Sequence, residues 1–192
     1  MPDPCPTEVV WHVRPLAVPQ LLRHCPACAT TRAHVSCERF RVNAQQHRLD
    51  VWLLYRCSTC AHTWKRSVLR RVSHAALGAD RLERFLRDDP AAAREAAFAP
   101  APGLEQVPAA AVTVERPPLD HQSAILRLMV PWPCGVRLDR LLAAELGCAR
   151  ARLAHLVRAG VLQIDPGGER ALRQPPRDGA RVLLPRGWPP PG

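Results

Sequence analysis

"YRCSTCAHTW", residues 55–64, sets two cysteines with two residues between them at the end of an apolar run, LDVWLLYR. A second pair, CPAC, stands upstream at 25–28. A lone pair fits a thioredoxin-like redox motif, which places its cysteines where a strand gives way to a helix. Here the downstream pair leaves one strand-like segment and runs into another, HTWKRSV, so that reading fails. Two such pairs satisfy a tetrahedral thiolate site, in which each short loop offers two sulfurs to one ion. The expected ligands are Cys25, Cys28, Cys57 and Cys60, and the expected metal is zinc. Its role is structural, because four thiolates leave no open position for a water. A segment of about fifty residues buries too little to fold alone, and bound zinc can supply roughly 10–16 kcal/mol of apparent binding energy. His24 and His62 flank the pairs and read as surface residues. Cys37 reads as a small buried strand residue, while Cys134 sits in a Pro-rich turn, Cys148 before a helix and Cys5 in a tail.

The segment between the pairs, VSCERFRVNAQQHRLDVWLLYR, predicts a strand, a turn around NAQQH and a second strand. In that second strand Val51, Leu53 and Tyr55 share one face, and Trp52 and Leu54 share the other. Both faces are apolar, which predicts an interior strand covered on both sides. Trp52, Tyr55, Trp64 and Phe40 are expected to be core residues and not base-stacking platforms. Further on, ADRLERFLRD (79–88) spaces Leu82, Phe85 and Leu86 as one helical packing face, and Pro90 starts a second helix, PAAAREAAF.

FRVNAQQHRLDVWLLYRCSTCAHTW (40–64) resembles a bacterial domain-of-unknown-function family, the one numbered 1062. The likeness is carried by Phe40 to Ala44, Leu49 to Leu53, Cys57, Cys60 and Trp64, and continues through RFLRDDPAAAREAAF (84–98). It covers most of residues 8–100 and implies no activity. In general character this half also resembles a zinc ribbon.

Residues 99–118 hold five prolines and read as a linker with one strand at AVTVE; SAILRLMV (123–130) has strand character. From Gly135 two short amphipathic helices follow. The first is expected to bury Leu138, Leu141, Leu142 and Leu146, and the second Leu153, Leu156 and Val157. Arg152, His155 and Arg158 lie on the opposite arc, with Arg150 at its edge. Strands are expected at VLQI and RVLL, separated by a DPGG turn. This succession resembles the S-four RNA-binding fold over about 137–185. The resemblance implies that Arg150 and Arg152 touch RNA phosphates, with Arg137, Arg140 and Arg158 as supporting charge. Ala149 stands where that fold usually has a capping serine, a loss of about 1 kcal/mol. The RLD of pseudouridine synthases also occurs here, but Asp139 lacks that motif's preceding histidine and following threonine-glycine. It reads as a helix-start residue near Arg137 or Arg140.

The chain has 192 residues and 27 Lys+Arg against 17 Asp+Glu, a net charge of +10. Residues 1–70 and 117–192 are both basic, and 71–116 are near neutral. Two basic ends favour a polyanion, and nucleic acid above all. The N-terminus lacks the basic and apolar regions of a signal peptide, and no apolar run reaches the length of a membrane span, so the expectation is a soluble, cytoplasmic protein. No Gly-rich phosphate loop, nucleophile elbow or acid/base constellation is present, so no catalytic residue is assigned.

The expected fold is α+β. A zinc-ribbon-like β domain spans 8–70 and a helical extension 71–98. A Pro/Ala-rich linker with one or two strands spans 99–130, an S-four-like module 131–187 and a Pro-rich tail 188–192. The expected function is non-enzymatic binding of structured RNA, ribosomal or transfer RNA being candidates. The alternatives are a protein-binding zinc-ribbon adaptor and an accessory factor or enzyme of RNA modification.

Overall fold

A computed structural model describes residues 6–45, 47–119, 124–185 and 187–188. Cys5 and the tail residues 189–192 lie outside that set. The chain begins with β1 (Thr7–Pro15), β2 (Gln20–Cys25), β3 (Thr30–Gln45), β4 (Arg48–Cys57) and β5 (Thr63–Ser73). Three helices follow, α1 (His74–Leu77), α2 (Ala79–Leu86) and α3 (Pro90–Phe98), then β6 (Glu105–Val107), β7 (Val112–Glu115) and β8 (Ala124–Met129). The chain ends with α4 (Leu138–Leu146), α5 (Arg150–Arg158), β9 (Gln163–Asp165), α6 (Gly168–Leu172) and β10 (Arg181–Leu184). The fold is thus mixed α/β, with two five-stranded sheets.

Two compact units divide the chain. An inserted unit is Val18–Pro108, and a discontinuous unit joins Met1–Ala17 to Ala109–Gly192. These limits differ from those expected at 8–70, 71–98, 99–130 and 131–187. The difference arises because β1 pairs with β8 in parallel and with β7 antiparallel, so both flanks of the insertion are sewn into one sheet. The segment expected as linker supplies β6 to the inserted unit's sheet, and β7 and β8 to the other.

The inserted unit's sheet has the order β5-β4-β3-β2-β6 with every neighbour antiparallel. Leu49, Val51, Leu53 and Tyr55 of β4 are buried on one face, as period-two alternation requires. Helices α2 and α3 supply Phe85, Ala92, Ala93, Ala96 and Ala97 to the same clusters. Alanines on α3 let its backbone lie close to the strands. Asp89 caps that helix by accepting the Ala92 amide at 2.7 Å, and Pro90 fits its first turn. Three expectations need revision. β4 is interior, but Trp52 and Leu54 on its second face are only half-buried, with Lys65 Nζ 5.4 Å from the Trp52 ring centre. Leu86 points outward at 64% exposure, so α2 packs through Phe85 with Leu82. Of Phe40, Trp52, Tyr55 and Trp64 only Tyr55 is fully buried; Phe40 packs edge-on against Phe85, and Trp64 lies beside Tyr55.

The discontinuous unit's sheet has the order β7-β1-β8-β10-β9. Trp11, Val13, Leu126, Leu128 and Val182 from its strands meet Leu138, Leu141, Leu142 and Leu146 of α4 and Leu153 of α5 in one core. Leu156 and Val157 are half-buried at its margin. Where a simple DPGG turn is expected, Gly167 and Gly168 take positive φ and the chain enters α6.

Candidate functional site

The two cysteine pairs occupy matching turns at one end of the inserted unit's sheet. Cys25 ends β2 and Cys57 ends β4. The turn after β4 closes by Ala61 N–H donating to Cys57 O at 3.0 Å, and Cys57 N–H donates to His62 O at 3.0 Å. In both turns the residue after the second cysteine is left-handed, Ala29 at φ +52° and Ala61 at φ +59°. That conformation places Cβ against the following carbonyl and is disfavoured for every residue but glycine. Ala29→Gly and Ala61→Gly should therefore each stabilise the metal-loaded protein by about 0.5–1 kcal/mol, read as a raised denaturant midpoint. An unchanged or lowered midpoint would contradict the strain assigned to these turns.

All four sulfurs, of Cys25, Cys28, Cys57 and Cys60, lie within 4.8 Å of one another. Cys25 Sγ is 3.5 Å from Cys60 Sγ, and Cys28 Sγ is 3.9 Å from Cys57 Sγ. Four thiolates held tetrahedrally about 2.3 Å from one ion would stand about 3.8 Å apart, so the donor set fits a single mononuclear ion. Cys25 and Cys57 are buried, Cys28 is half-buried and Cys60 is exposed. The amides of Cys60 and Thr59 aim at Cys57 Sγ and hold its pKa down to about 6, against a usual 9.0. Cys28, hydrogen-bonded to Cys60 and partly desolvated, is pushed up to about 12. Metal binding would replace the protons that the four sulfurs now share. His24 and His62 are exposed and stand outside the cluster. Cys37 is half-buried in β3, and burial raises the thiol pKa of Cys134 and, less enclosed, of Cys148.

In the discontinuous unit Arg137, Arg140, Arg150, Arg152 and Arg158 are all exposed. Arg137 Nε and Nη2 donate to Asp139 at 3.1 and 2.6 Å, which fixes Asp139 as a partner in the first turn of α4. Arg158 lies 3.6 Å from Glu169. Arg140, Arg150 and Arg152 make no side-chain ion pair among the described residues. Arg137 and Arg150 share a polar cleft of about 290 Å³ with Asp139, Glu169 and Arg173. Arg140, Arg152 and Arg158 lie outside that lining. Arg173 was not anticipated; it belongs to the C-terminal end of α6, a helix that the expected turn concealed. No side chain caps α5 at Ala149, so the first-turn amides of that helix have no side-chain acceptor.

No helix among the described residues is long and apolar enough to cross a membrane. A family model described as "Protein of unknown function (DUF1062)" matches residues 42–167. The match begins after the first cysteine pair and runs well past residue 100, through both α4 and α5. No curated protein and no solved structure matches the chain.

Proposed function

The chain belongs to the family of proteins of unknown function DUF1062, and within it we propose a non-enzymatic zinc protein that binds structured RNA. The observation that carries the metal half is the convergence of four sulfurs, two from each turn. Soft thiolate ligands in tetrahedral array suit zinc, and a closed set of four offers no site for a substrate or an activated water. The metal's role is to hold the two turns, and hence the ends of β2 and β4, together. The inserted unit is then a zinc-ribbon-like β domain elaborated by a helical layer.

The RNA half rests on Arg140, Arg150 and Arg152, which make no side-chain ion pair among the described residues, and on the cleft where Arg150 lies beside the Asp139-paired Arg137. The succession α4, α5, β9, β10 supports an S-four-like reading, in which α6 is an addition and β1, β7 and β8 extend the sheet. RNA recognition by such a surface works through phosphates and helix shape more than through base edges. Changing Arg140, Arg150 and Arg152 together to glutamine should weaken binding of a structured RNA at least about tenfold at low salt. It should also flatten the slope of log affinity against log salt by about two to three units, because each lost contact releases fewer counterions. Thermal stability should hardly move, since exposed substitutions usually stay within about 0.5 kcal/mol. Salt-independent or absent RNA binding by the wild type would remove this half and leave the protein-adaptor reading ahead.

A further inference from the structure

At the start of β4 the inserted unit carries a second cluster of arginines that neither the cysteine site nor the C-terminal helices use. Gln45, Arg48, Asp50, Arg70 and Arg71 line a polar cleft of about 420 Å³. It exists because the β4–β5 ladder slips. Leu49 faces Val72 and Val51 faces Leu69, so Arg70 and Arg71 bulge opposite the single residue Asp50.

Hydrogen bonds fix the cluster. Asp50 Oδ1 accepts the Arg71 amide at 2.9 Å, Arg48 Nη1 donates to the Arg71 carbonyl at 3.0 Å, and Arg70 Nε donates to Ser67 Oγ at 3.1 Å. The one carboxylate in the cleft is thus engaged by a backbone amide. No guanidinium of the three forms an ion pair among the described residues. Three guanidinium charges share one cleft with a single carboxylate, a net excess of positive charge, while Arg48 and Arg70 are each held by one bond with further N–H groups free. Arg71 adopts φ +50°, a conformation that glycine takes without penalty and a long side chain does not. Such backbone outliers gather where a side chain is needed for binding.

We propose that this cleft binds phosphodiester groups of a polynucleotide, with Arg48, Arg70 and Arg71 as the phosphate ligands. Guanidinium forks match phosphate oxygens in pairs. The lining offers no aromatic or aliphatic wall to hold a base, so recognition is of backbone charge and independent of sequence. The inference goes beyond the C-terminal reading and stands on residues of the other unit.

The test uses full-length, metal-loaded protein and a fluorescent RNA hairpin titrated across a salt series. Arg71→Gly should lower affinity several-fold and flatten the salt slope by about 0.7–0.9, while melting temperature stays equal or rises. A merely structural arginine would show the opposite change in melting. Adding Arg48→Gln and Arg70→Gln should lower affinity at least about tenfold and flatten the slope by two to three units. A charge-matched control, Arg32→Gln with Arg56→Gln and Arg87→Gln, should bind nearly as the wild type. Wild-type slope in the cleft variants, or equal loss in the control, overturns the proposal. Displacement of the RNA by inorganic pyrophosphate at equal phosphate concentration also overturns it, since the site would then serve a free small anion. Should the Arg140, Arg150 and Arg152 variant lose binding while the cleft variants keep it, the cleft proposal fails and the C-terminal reading stands. The converse result sinks the C-terminal reading alone.

Discussion

Cys57→Ser should release the metal and unfold residues 18–108, the largest single effect expected in this protein. Cys57 is one of the two buried thiols of the proposed site, the one at which two backbone amides converge, and its loss leaves three sulfurs where four would close the site. Apparent binding energy for structural zinc is roughly 10–16 kcal/mol, which exceeds what a unit of about ninety residues retains as net stability. The discontinuous unit has its own core of strands and helices, built on Trp11, Leu126, Leu142 and Leu153, and should keep its fold. It should still feel the change. β1 and β7 pair across the insertion, with Pro15 opposite Val112 and Leu16 N–H donating to Ala111 O at 2.9 Å. When the insertion unfolds, that ladder must close a flexible loop of about ninety residues, an entropy penalty of about 4 kcal/mol by the logarithmic law. Hydrogen exchange should therefore show full exposure of β2 to β6 and weakened, not lost, protection in β1 and β7. Metal analysis of the variant is the decisive readout: retention of one ion per chain would end the four-thiolate reading.

Legibility in the sequence followed the range of the interaction. The cysteine pairs, the strand at LDVWLLYR, the helix started by Pro90 and the strand at RVLL all arise from local spacing, and each stands in the structure at its place. The parallel pairing of β1 with β8 is different, because its register joins Thr7 to Ala124 across more than a hundred residues. TEVVWHV finds its partners far away, since its neighbour in sequence, β2, belongs to the other sheet. Isolated strands of that length are not stable alone and must pair somewhere. Bulges were hidden for another reason. Slippage between Ser36 and Phe40 leaves Glu38 at φ +55°, and Asp88 fastens it by accepting the Phe40 amide at 2.6 Å from a turn that lies far along the chain. Within the arginine clusters, composition could count charges but could not tell which were neutralised. Arg137 and Arg150 look alike in sequence; one is bound to Asp139 and the other is not.

The least legible residue of all is Arg66, and its removal should be the second-largest effect. In sequence it stands beside the one lysine in WKR; in the structure it is 7% exposed. Its Nη1 donates to the carbonyls of Ala96 and Ala97 at 2.8 and 3.2 Å, and its Nη2 to those of Ala99 and Pro100 at 2.7 and 2.9 Å. Those of Ala96, Ala97 and Ala99 belong to the last turn and C-cap of α3, left without helical partners at the negative end of the helix dipole, and that of Pro100 follows directly. A buried guanidinium without a carboxylate is tolerable only because that array of oxygens surrounds it. Arg66→Met removes the charge with the donors, so nothing charged is stranded, but it orphans three carbonyls; Ala99 O retains Gln106 Nε2 at 2.9 Å. At about 1–3 kcal/mol for each buried unsatisfied group, partly relieved by water, the inserted unit should lose about 3–5 kcal/mol. Arg66→Lys should lose less, because one ammonium reaches some of the same oxygens without the planar fork. If the apo unit is unfolded, folding and metal binding are one equilibrium, and the same loss must appear in apparent zinc affinity. A 3 kcal/mol loss then reads as more than a hundredfold weaker binding, at about 1.4 kcal/mol per tenfold, from a residue that is no metal ligand. Competition with a zinc chelator measures it directly. Wild-type zinc affinity in a destabilised Arg66→Met protein would show that the apo unit folds without metal, and would reduce zinc from a condition of the fold to an addition to it.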